Sequence, residues 1–416
     1  MEKILIVAHD FPFPPTHGGR VDMWSRIKML KGLGCQVDLV ASVKEAPSEL
    51  DAQEVRGYVR SLMIVKREMG VRQLFSLEPL SVRSRRNLAR IPLSDSYAAV
   101  ILETEHVAPI LQNPALRADK CIVRLQNDES QYYRELSTAS RELWRKAFYR
   151  LEGVKFRFFS HEVMRSCGLL WFISDFERQK YCAKHPLSTS KAFFVPPHVS
   201  SAKMKRHKLT TNQVLFVGRL GFATNTRGVE WYMRHVHPML ADINQYDLVV
   251  AGSTGGEPLD VLGELIARHS NVSLYEDPPD LQSHYNMAAV FVNPVFQGTG
   301  LKLKTIDAIQ AGLPVVSTSI GIQGTRLIDG KHVLVADTPE RFADCIRKLL
   351  RDRRYAENMV SEAQAFIIRE YDQERIVKRL FDFTAAETHQ GSAASKHRCR
   401  KDIIIPSGSE NSGSSP

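Results

Sequence analysis

One order of elements occurs twice along the chain. A short apolar strand at Ile4–Ala8 leads through a glycine loop to a helix at about Arg20–Leu33 and a second strand at Gln36–Ala41. The order restarts with a strand at Val214–Val217 and a helix at Thr226–Leu240. Strands that alternate with helices in this way are typical of parallel sheets covered by helices on both faces. The sequence therefore predicts an α/β fold with two Rossmann-like, doubly wound domains.

The remaining elements follow the same alternation. Further strands are expected at Ala98–Leu102, Cys121–Arg124, Leu169–Ile173, Asp247–Ala251, Val272–Tyr275, Val290–Asn293 and Val315–Ser317. Further helices are expected at about Glu135–Cys167, Pro258–Arg268, Pro339–Leu350, Ala356–Glu370 and Gln373–Thr384.

The domain boundaries are predicted from changes in composition. The segment Pro196–Thr211 carries two prolines and a basic cluster, which indicates a linker. Beyond His389 the chain is polar and poor in aromatic residues, which is typical of disorder. We expect a first domain over residues 1–200, a second over 201–370, a helix over 371–388 and a disordered tail over 389–416. Packing of that helix back on the first domain is one option.

Size and charge restrict the class of protein. A chain of 416 residues exceeds what one hydrophobic core usually serves. The net charge of +10 favours an anionic partner, but it does not choose between phosphate, nucleic acid and an acidic membrane surface. The six cysteines form no CxxC pair, which argues against structural zinc and suits reduced thiols in a cytosol. Without a secretion signal or a run of about 20 apolar residues, we expect a cytoplasmic protein, either soluble or on the inner face of the membrane.

The stretch FQGTGLKLKTIDAIQAGLPVVST combines a bare backbone with charge. Gly298 and Gly300 precede a predicted helix start, where backbone N–H groups can approach a phosphate closely. Lys302 and Lys304 add positive charge, and we expect only one of them to face the ligand. Asp307 follows about one helical turn later and has the chemistry to accept hydrogen bonds from a ribose diol. A nucleotide diphosphate is the predicted ligand; the alternative is an ordinary loop with solvated lysines.

Two more loops are expected at the same edge of the second sheet. Gly218 and Arg219 come directly after the first strand of this domain, and the planar guanidinium suits phosphate oxygens. Gly321 and Gly324 follow a later strand. Loops after parallel strands meet at the carboxyl edge, where doubly wound folds bind ligands. We therefore expect these loops to form one crevice.

These motifs resemble a known family. The GRL run at 218–220, the GTGLKLKTIDA run with AGLPVVST, and their order are similar to the donor-binding half of retaining GT-B glycosyltransferases of family 4. VRLQNDESQYYR at 123–134 resembles a subgroup that builds bacterial exopolysaccharides. The resemblance covers residues 3 to 386 and implies two domains that face across a cleft.

The resemblance implies roles for individual residues in the second domain. Arg219 and Lys304 would stabilise the leaving diphosphate. Family members usually carry two glutamates in the glycine loop, and this chain has Thr299 and Asp307 at those positions. The donor would be held by Gly218, Thr299, Gly300, Leu301, Lys302 and Asp307. The family's lysine soon after GRL is absent, with Asn225 and Arg227 nearby, and we expect Lys304 or Lys302 to replace its charge.

In the first domain, the resemblance brings Gly18 and Gly19 to the reacting centre as donor-binding residues. Gln126 stands where relatives often have a histidine, so it joins the catalytic candidates although an amide is neither acid nor base. Glu103, Glu105 and a neighbouring histidine match no metal motif, and we expect them to be exposed.

The long helical region rich in aromatic residues and arginine has two interpretations. Its basic and aromatic residues suit contact with a membrane surface. The favoured alternative makes the aromatic residues core and the cations a solvated face. Ser174 and Asp175 are expected to cap the helix that follows them.

We therefore expect a glycosyltransferase that moves a sugar from a nucleotide-diphosphate donor to an acceptor hydroxyl, in polysaccharide or glycoconjugate biosynthesis. The acceptor would be a saccharide, a lipid-linked molecule or another hydroxyl compound. No DxD motif occurs, so we expect neither a metal nor another cofactor, and no recognition motif supports nucleic-acid binding. A degenerate nucleotide-sugar-binding partner subunit is the main alternative. An epimerase lacks identifiable acid and base residues, and a nicotinamide oxidoreductase lacks GxGxxG in the first loop.

Overall fold

The computed structural model describes residues 2–15, 18–68, 76–140, 142–199, 204, 211–298 and 300–378. The chain forms two compact units. The first takes in Met1–Ile173, Glu177–His198 and Glu374–Pro416, and the second Ser174–Phe176 and Val199–Gln373.

The first unit is built on a seven-stranded parallel sheet with the order β3-β2-β1-β4-β5-β6-β7. The order reverses direction at β1, which lies between β2 and β4, as expected for a doubly wound sheet. Its strands are β1 (Lys3–Ala8), β2 (Gln36–Val43), β3 (Ser61–Lys66), β4 (Ser96–Leu102), β5 (Arg117–Leu125), β6 (Leu169–Phe172) and β7 (Ala192–Phe194).

Helices cover both faces of this sheet. They are α1 (Gly18–Gly32), α2 (Glu49–Arg56), α3 (Leu80–Arg83), α4 (Glu129–Ala139), α5 (Leu143–Ser166) and α6 (Asp175–Lys184), with 3-10 segments at Arg86–Arg90, Glu105–Gln112 and Pro186–Lys191. The central strands are fully buried because both faces are covered, so alternate residues of β1 enter two separate apolar clusters. Leu5 and Val7 belong to the cluster with Phe156 of α5, and Ile4 and Ile6 to the cluster with α1.

The second unit has a six-stranded parallel sheet with the order β10-β9-β8-β11-β12-β13. Its strands are β8 (Asn212–Val217), β9 (Tyr246–Gly252), β10 (Val272–Glu276), β11 (Val290–Asn293), β12 (Val315–Ser317) and β13 (Leu334–Val335). The connecting helices are α7 (Ala223–Trp231), α8 (Asp260–Ala267), α9 (Gln282–Met287), α10 (Leu303–Gln310), α11 (Pro339–Arg351) and α12 (Arg353–Glu370). A π-helical turn at Tyr232–Val236 and 3-10 turns at His237–Leu240 and Ile320–Ile322 complete it.

The predicted α/β class with two Rossmann-like, doubly wound domains is confirmed. The expected helix at Thr226–Leu240 is shorter than predicted because Pro238 lacks an N–H group, and the chain passes into π and 3-10 turns there. Most of the expected linker lies outside the described residues, as does the chain from residue 379 onward, so the tail stays a prediction. Val377, in a short helical stretch after α12, is buried in the core of the first unit.

Candidate functional site

The reversal of strand order in the second sheet marks the expected ligand position. β8 pairs with β9 on one side and with β11 on the other. The loops that follow β8 and β11 therefore lead to opposite sides of the sheet. This leaves a crevice at the carboxyl ends of β8 and β11, where open α/β sheets bind ligands. The loops that carry Gly218 and Gly300 start at these two strand ends.

The backbone at the end of β8 is packed too tightly for side chains. Gly252, the last residue of β9, has φ +155°, and a Cβ atom on it would lie 1.7 Å from the carbonyl oxygen of Gly218. A Cβ atom on Gly218 would lie 3.1 Å from Nδ2 of Asn225. The Gly218 amide also donates to the carbonyl of Ala251 at 3.1 Å. These contacts fix the position of the loop that carries Arg219.

The loop after β11 depends on glycine and on one of the two lysines. Gly298 and Gly300 have φ of +114° and +73°, conformations that other residues seldom adopt. Lys302 folds back, and its Nζ donates to the carbonyls of Gly298 at 2.8 Å and of Gly300 at 3.2 Å. Lys302 therefore holds the loop together, with Leu301 placed two residues before the start of α10. Thr299 lies outside the described residues.

Lys304, in the first turn of α10, reaches the β8 loop. Its Nζ donates to Oδ1 of Asn225 at 2.5 Å and lies 4.6 Å from the ring centroid of Phe216 in β8. Nδ2 of Asn225 in turn donates to the carbonyl of Arg219 at 2.8 Å. Burial, and then the nearby Lys302, lower the pKa of the Lys304 ammonium to about 7. Asn225 thus joins the loops after β8 and β11 around one desolvated cation.

Arg219 is exposed and points towards the loop after β9. Its guanidinium carbon lies 4.4 Å from the ring centroid of Phe222. Its Nη2 would lie only 2.9 Å from a Cβ atom on Gly255, so that glycine leaves room for it. Lys304 is therefore linked through Asn225 to the backbone of Arg219, whose guanidinium extends over Phe222 towards the loop after β9.

Asp307 is exposed on the next turn of α10. The third predicted loop is attached to the same helix by a buried asparagine at the end of β11. Nδ2 of Asn293 donates to Oγ1 of Thr305 and to the carbonyl of Gly321, both at 3.0 Å. The structure therefore brings together the loops after β8, β11 and β12 in one unit.

Sequence reasoning did not identify Asn225 and Asn293 as organising residues. A polar residue in the last position of a buried strand is the signal that singles out Asn293. Asn225 carries no such signal, because its role depends on the fold bringing Lys304 next to it.

The candidate site residues of the first domain, Gly18, Gly19 and Gln126, belong to the first unit. Gly18 and Gly19 begin α1, and both are half-buried. Gln126 comes directly after β5, and its Nε2 donates to the carbonyl of Glu103 at 3.3 Å. The amide oxygen of Gln126 can accept a hydrogen bond from a hydroxyl group.

The prediction that Glu103 and Glu105 are exposed is wrong. Glu103 is fully buried, and its carboxylate accepts a hydrogen bond from Nε of Arg26 on α1 at 2.6 Å. The same arginine donates to Asp22 at 2.5 Å, and Asp22 accepts from Arg124 of β5 at 2.6 Å. Charge pairing, which short-range patterns do not show, makes this burial possible. The network attaches the first turns of α1, which begins at Gly18, to β5 and to the residue that follows β4.

Glu105 is buried too, for a different reason. Its carboxyl accepts a hydrogen bond from Ser160 Oγ at 2.5 Å. Burial, and then the charge of Glu129, raise its pKa well above the usual range, which favours the neutral acid. In the next residue, His106, Nε2 lies 3.5 Å from Oε2 of Glu129.

Ser174 and Asp175 do more than begin α6. The Asp175 carboxylate accepts hydrogen bonds from Nε and Nη2 of Arg326 at 2.8 and 3.0 Å. A Cβ atom on Gly324, which has φ +81°, would lie 2.2 Å from Oγ of Ser174. These contacts explain why Ser174–Phe176 belongs to the second unit.

Within the described ranges, no group of three or more His, Cys, Asp or Glu side chains is arranged to hold a metal ion. No helix in that same part of the chain is both long and apolar enough to cross a membrane.

The second unit matches a family model. Residues 211–352 match the model described as "Glycosyl transferases group 1". An uncharacterized 44.6 kDa protein in the cps region of Klebsiella pneumoniae is 32% identical over 393 residues, which cover 92% of this chain and 99% of that protein.

Solved structures are similar to this chain over more than nine tenths of its length. TarM of S. aureus, in complex with fondaparinux, α-GlcNAc-glycerol and UDP, superimposes with a TM-score of 0.67 at 12% identity, covering 92% of this chain and 99% of that one. HepE of Anabaena, in complex with UDP-glucose, gives a TM-score of 0.64 at 12% identity, covering 93% and 100%. WaaG, a glycosyltransferase involved in lipopolysaccharide biosynthesis, gives 0.60 at 14% identity, covering 91% and 99%. The chain therefore has the GT-B fold of these structures, and its second unit matches the glycosyltransferase group 1 family.

Proposed function

We propose that the protein transfers a sugar from a nucleotide-diphosphate-sugar donor to an acceptor hydroxyl, with retention of anomeric configuration, as a family 4 enzyme of polysaccharide or glycoconjugate biosynthesis. The observation that carries the proposal is the Lys304–Asn225–Arg219 connection at the carboxyl ends of β8 and β11. HepE, of the same fold, binds UDP-glucose. The Klebsiella relative lies in a cps region, which favours capsule or exopolysaccharide as the product.

The chemistry follows from the placement of charge. When the bond between the sugar and the diphosphate breaks, negative charge grows on the diphosphate. Lys304 and Arg219 supply positive charge to it, and the amides at Gly300 and Leu301, at the start of α10, supply oriented N–H groups. Because burial removes water from the Lys304 ammonium, its interaction with the diphosphate is stronger than in solvent. These groups carry out the charge stabilisation in this proposal without a metal ion.

The remaining candidates hold the substrates. Asp307, exposed on α10, would accept hydrogen bonds from the ribose diol. Gln126 would hold a sugar hydroxyl in the first unit, and Gly18 and Gly19 would admit the donor sugar. Attack from the leaving-group face, with the leaving phosphate helping to remove the acceptor proton, needs no pair of carboxylates and gives retention.

The acceptor in this proposal is a saccharide or a lipid-linked molecule, met at the inner face of the membrane. The cps location of the relative supports an acceptor of this kind, because capsule units are assembled from saccharides. The positive net charge of +10 suits an anionic surface.

A catalytically degenerate partner subunit that only binds a nucleotide sugar is the second candidate. It is favoured by Gln126, whose amide supplies neither acid nor base, and by Thr299 in place of a glutamate.

One experiment separates the two candidates. Purified protein is incubated with single sugar nucleotides, and donor hydrolysis and transfer to a saccharide acceptor are followed by mass spectrometry. The enzyme proposal predicts slow release of nucleotide diphosphate from one donor, faster with acceptor. Binding of a sugar nucleotide, shown by thermal shift, without any turnover would favour the partner subunit.

A further inference from the structure

The outer face of α5 carries a row of exposed apolar side chains. Its members are Leu143 (81% exposed), Trp144 (66%), Leu151 (52%), Val154 (54%) and Phe158 (68%), with Ala147 between them. Apart from the adjacent Leu143 and Trp144, they are three or four residues apart, which places all of them on one side of the helix. We call these six residues the outer stripe of α5.

The opposite side of α5 already has its partners. Phe156, Phe159 and Val163 are buried in the core of the first unit. The expectation that the aromatic residues of this region are core is thus correct for Phe156 and Phe159 and wrong for Trp144 and Phe158. The outer stripe is therefore apolar surface that the described residues of the first unit leave exposed.

Cations border the stripe. Arg150 and Arg157 are exposed and lie one after the other along one side, two turns apart. Neither residue forms an ion pair with another described residue. The charged residues at the two ends, Arg145 and Arg165, pair with glutamates of the same region. The border of the stripe is therefore positive along the side of Arg150 and Arg157.

The surface continues past the end of α5. The ring of His161, on the last exposed turns, lies 5.3 Å from the ring of His185. Leu187 follows two residues later and is fully exposed. Lys184, exposed at the end of α6, adds another cation beside it.

We propose that the outer stripe of α5 docks the protein on an anionic lipid surface, with its apolar side chains inserted between the lipids and Arg150 and Arg157 on the headgroups. A row of Leu, Trp, Val and Phe side chains with a basic border is the composition that binds such interfaces. The inference goes beyond the proposed transfer chemistry, and α5 alone carries it.

The size of the stripe argues against a second copy of the chain as the occupant. From Leu143 to Phe158 the helix rises about 22 Å, and a helix is about 10 Å wide, so the stripe covers on the order of 220 Å². A stable protein interface usually buries about 800 Å² on each partner. An antiparallel pair of facing stripes would also bring Arg150 and Arg157 of both copies together.

The test uses the full chain and vesicles of phosphatidylcholine with or without phosphatidylglycerol. The wild-type protein is expected to cosediment with the anionic vesicles and to bind at least tenfold less to the neutral ones. Trp144→Ser with Phe158→Ser should lower the partition coefficient at least tenfold. Arg150→Gln with Arg157→Gln should lower binding and weaken its salt dependence. Leu50→Ser is the matched control, because Leu50 is 80% exposed on α2, away from the stripe.

A second readout reports insertion directly. Trp144 fluorescence should shift to the blue on anionic vesicles, and Trp144→Phe should remove that shift although three other tryptophans remain. Melting temperature checks that the variants fold, and donor hydrolysis without vesicles should be the same in stripe variants and wild type. Absence of wild-type binding, equal binding by the double variants, or a dimer that the Trp144 and Phe158 changes convert to monomer while vesicle binding stays unchanged would overturn the proposal.

Discussion

At the scale of single residues, one buried ammonium group accounts for most of the proposed chemistry. Lys304 donates to Asn225 and lies on the ring of Phe216, in a position where its charge is poorly solvated. An anion that binds next to this group replaces the lost hydration, so diphosphate binding stabilises the charged form of Lys304.

Removal of this charge should impair donor use without unfolding the protein. Lys304→Ala or Arg219→Ala is expected to lower kcat/KM by about 10²–10³, the usual cost of a lost group that stabilises transition-state charge. Arg227→Ala is the control, because Arg227 is an exposed cation on α7, two residues after the buried Asn225 and on the opposite side of the helix. Steady-state kinetics with the donor identified by mass spectrometry measures the effect. Equal kinetics for all three variants would contradict the assignment of the site.

The lowered pKa of Lys304 predicts the direction in which kcat/KM for the donor changes with pH. Below about pH 7 the ammonium is charged and attracts the diphosphate, and above it the group loses its proton. We therefore expect kcat/KM for the donor to fall as pH rises through about 7. The pH profile of Lys304→Arg, which stays charged, should lack this descending limb. A descending limb that persists in Lys304→Arg would assign it to another group.

Asn225 positions Lys304, so substitution of Asn225 should shift the same descending limb of the pH profile. Asn225→Asp places a carboxylate where the amide oxygen now accepts from Nζ at 2.5 Å, and this raises the pKa of the lysine. The descending limb should shift to higher pH by at least about one unit, while donor affinity falls because the new negative charge repels diphosphate. A residue with only a structural role would change the amplitude of the profile and leave its midpoint in place.

At the scale of elements, the site depends on how closely strand ends approach. Gly252→Ala places a Cβ atom 1.7 Å from the Gly218 carbonyl, at a backbone φ of +155°. The free energy of unfolding should fall by about 3–5 kcal/mol, as for severe overpacking and strain. Gly263→Ala is the control in α8, where a Cβ atom meets nothing within 4 Å, and it should be neutral or stabilising by up to about 1 kcal/mol. Urea unfolding measures both, and equal stabilities would refute the close contact.

The elements themselves were largely predictable from the sequence. The strands at Val290–Asn293 and Val315–Ser317 have the predicted bounds, because short β-branched runs followed by glycine or polar loops have few other structures. The positive φ angles of Gly298 and Gly300 agree with the bare backbone inferred from their sequence. In contrast, β3 and α2 were not predicted; β3 is an edge strand with one buried residue, and α2 buries only Ala52 and Val55.

The contacts between distant residues were not predictable. Nothing in the spacing of Lys302 and Lys304 shows that the first folds back on its own loop while the second reaches Asn225. Glu103 looks like a surface acid until the fold places Arg26 beside it. Local periodicity reports which side of an element is buried, whereas the partner of a buried charge is set by tertiary structure.

At the scale of the whole molecule, the two units should respond differently to nucleotide. The residues proposed to bind the diphosphate all lie in the second unit. UDP should therefore raise the melting temperature of that unit alone. At 100 times its Kd, UDP adds about 2.7 kcal/mol to the stability of the unit that binds it. Differential scanning calorimetry of the full chain, with Lys304→Ala as the control, checks this expectation. An equal upward shift of every transition would mean that the diphosphate contacts are shared by both units.

The central claim is that a diphosphate binds between the loops after β8 and β11. A crystal structure of the protein with UDP tests it most directly. The diphosphate oxygens should lie within about 3 Å of Nζ of Lys304 and of the amide nitrogens at Gly300 or Leu301, with the Arg219 guanidinium turned towards them. A UDP molecule bound elsewhere, with Lys304 still attached only to Asn225, would contradict the proposed site and the transfer chemistry that depends on it.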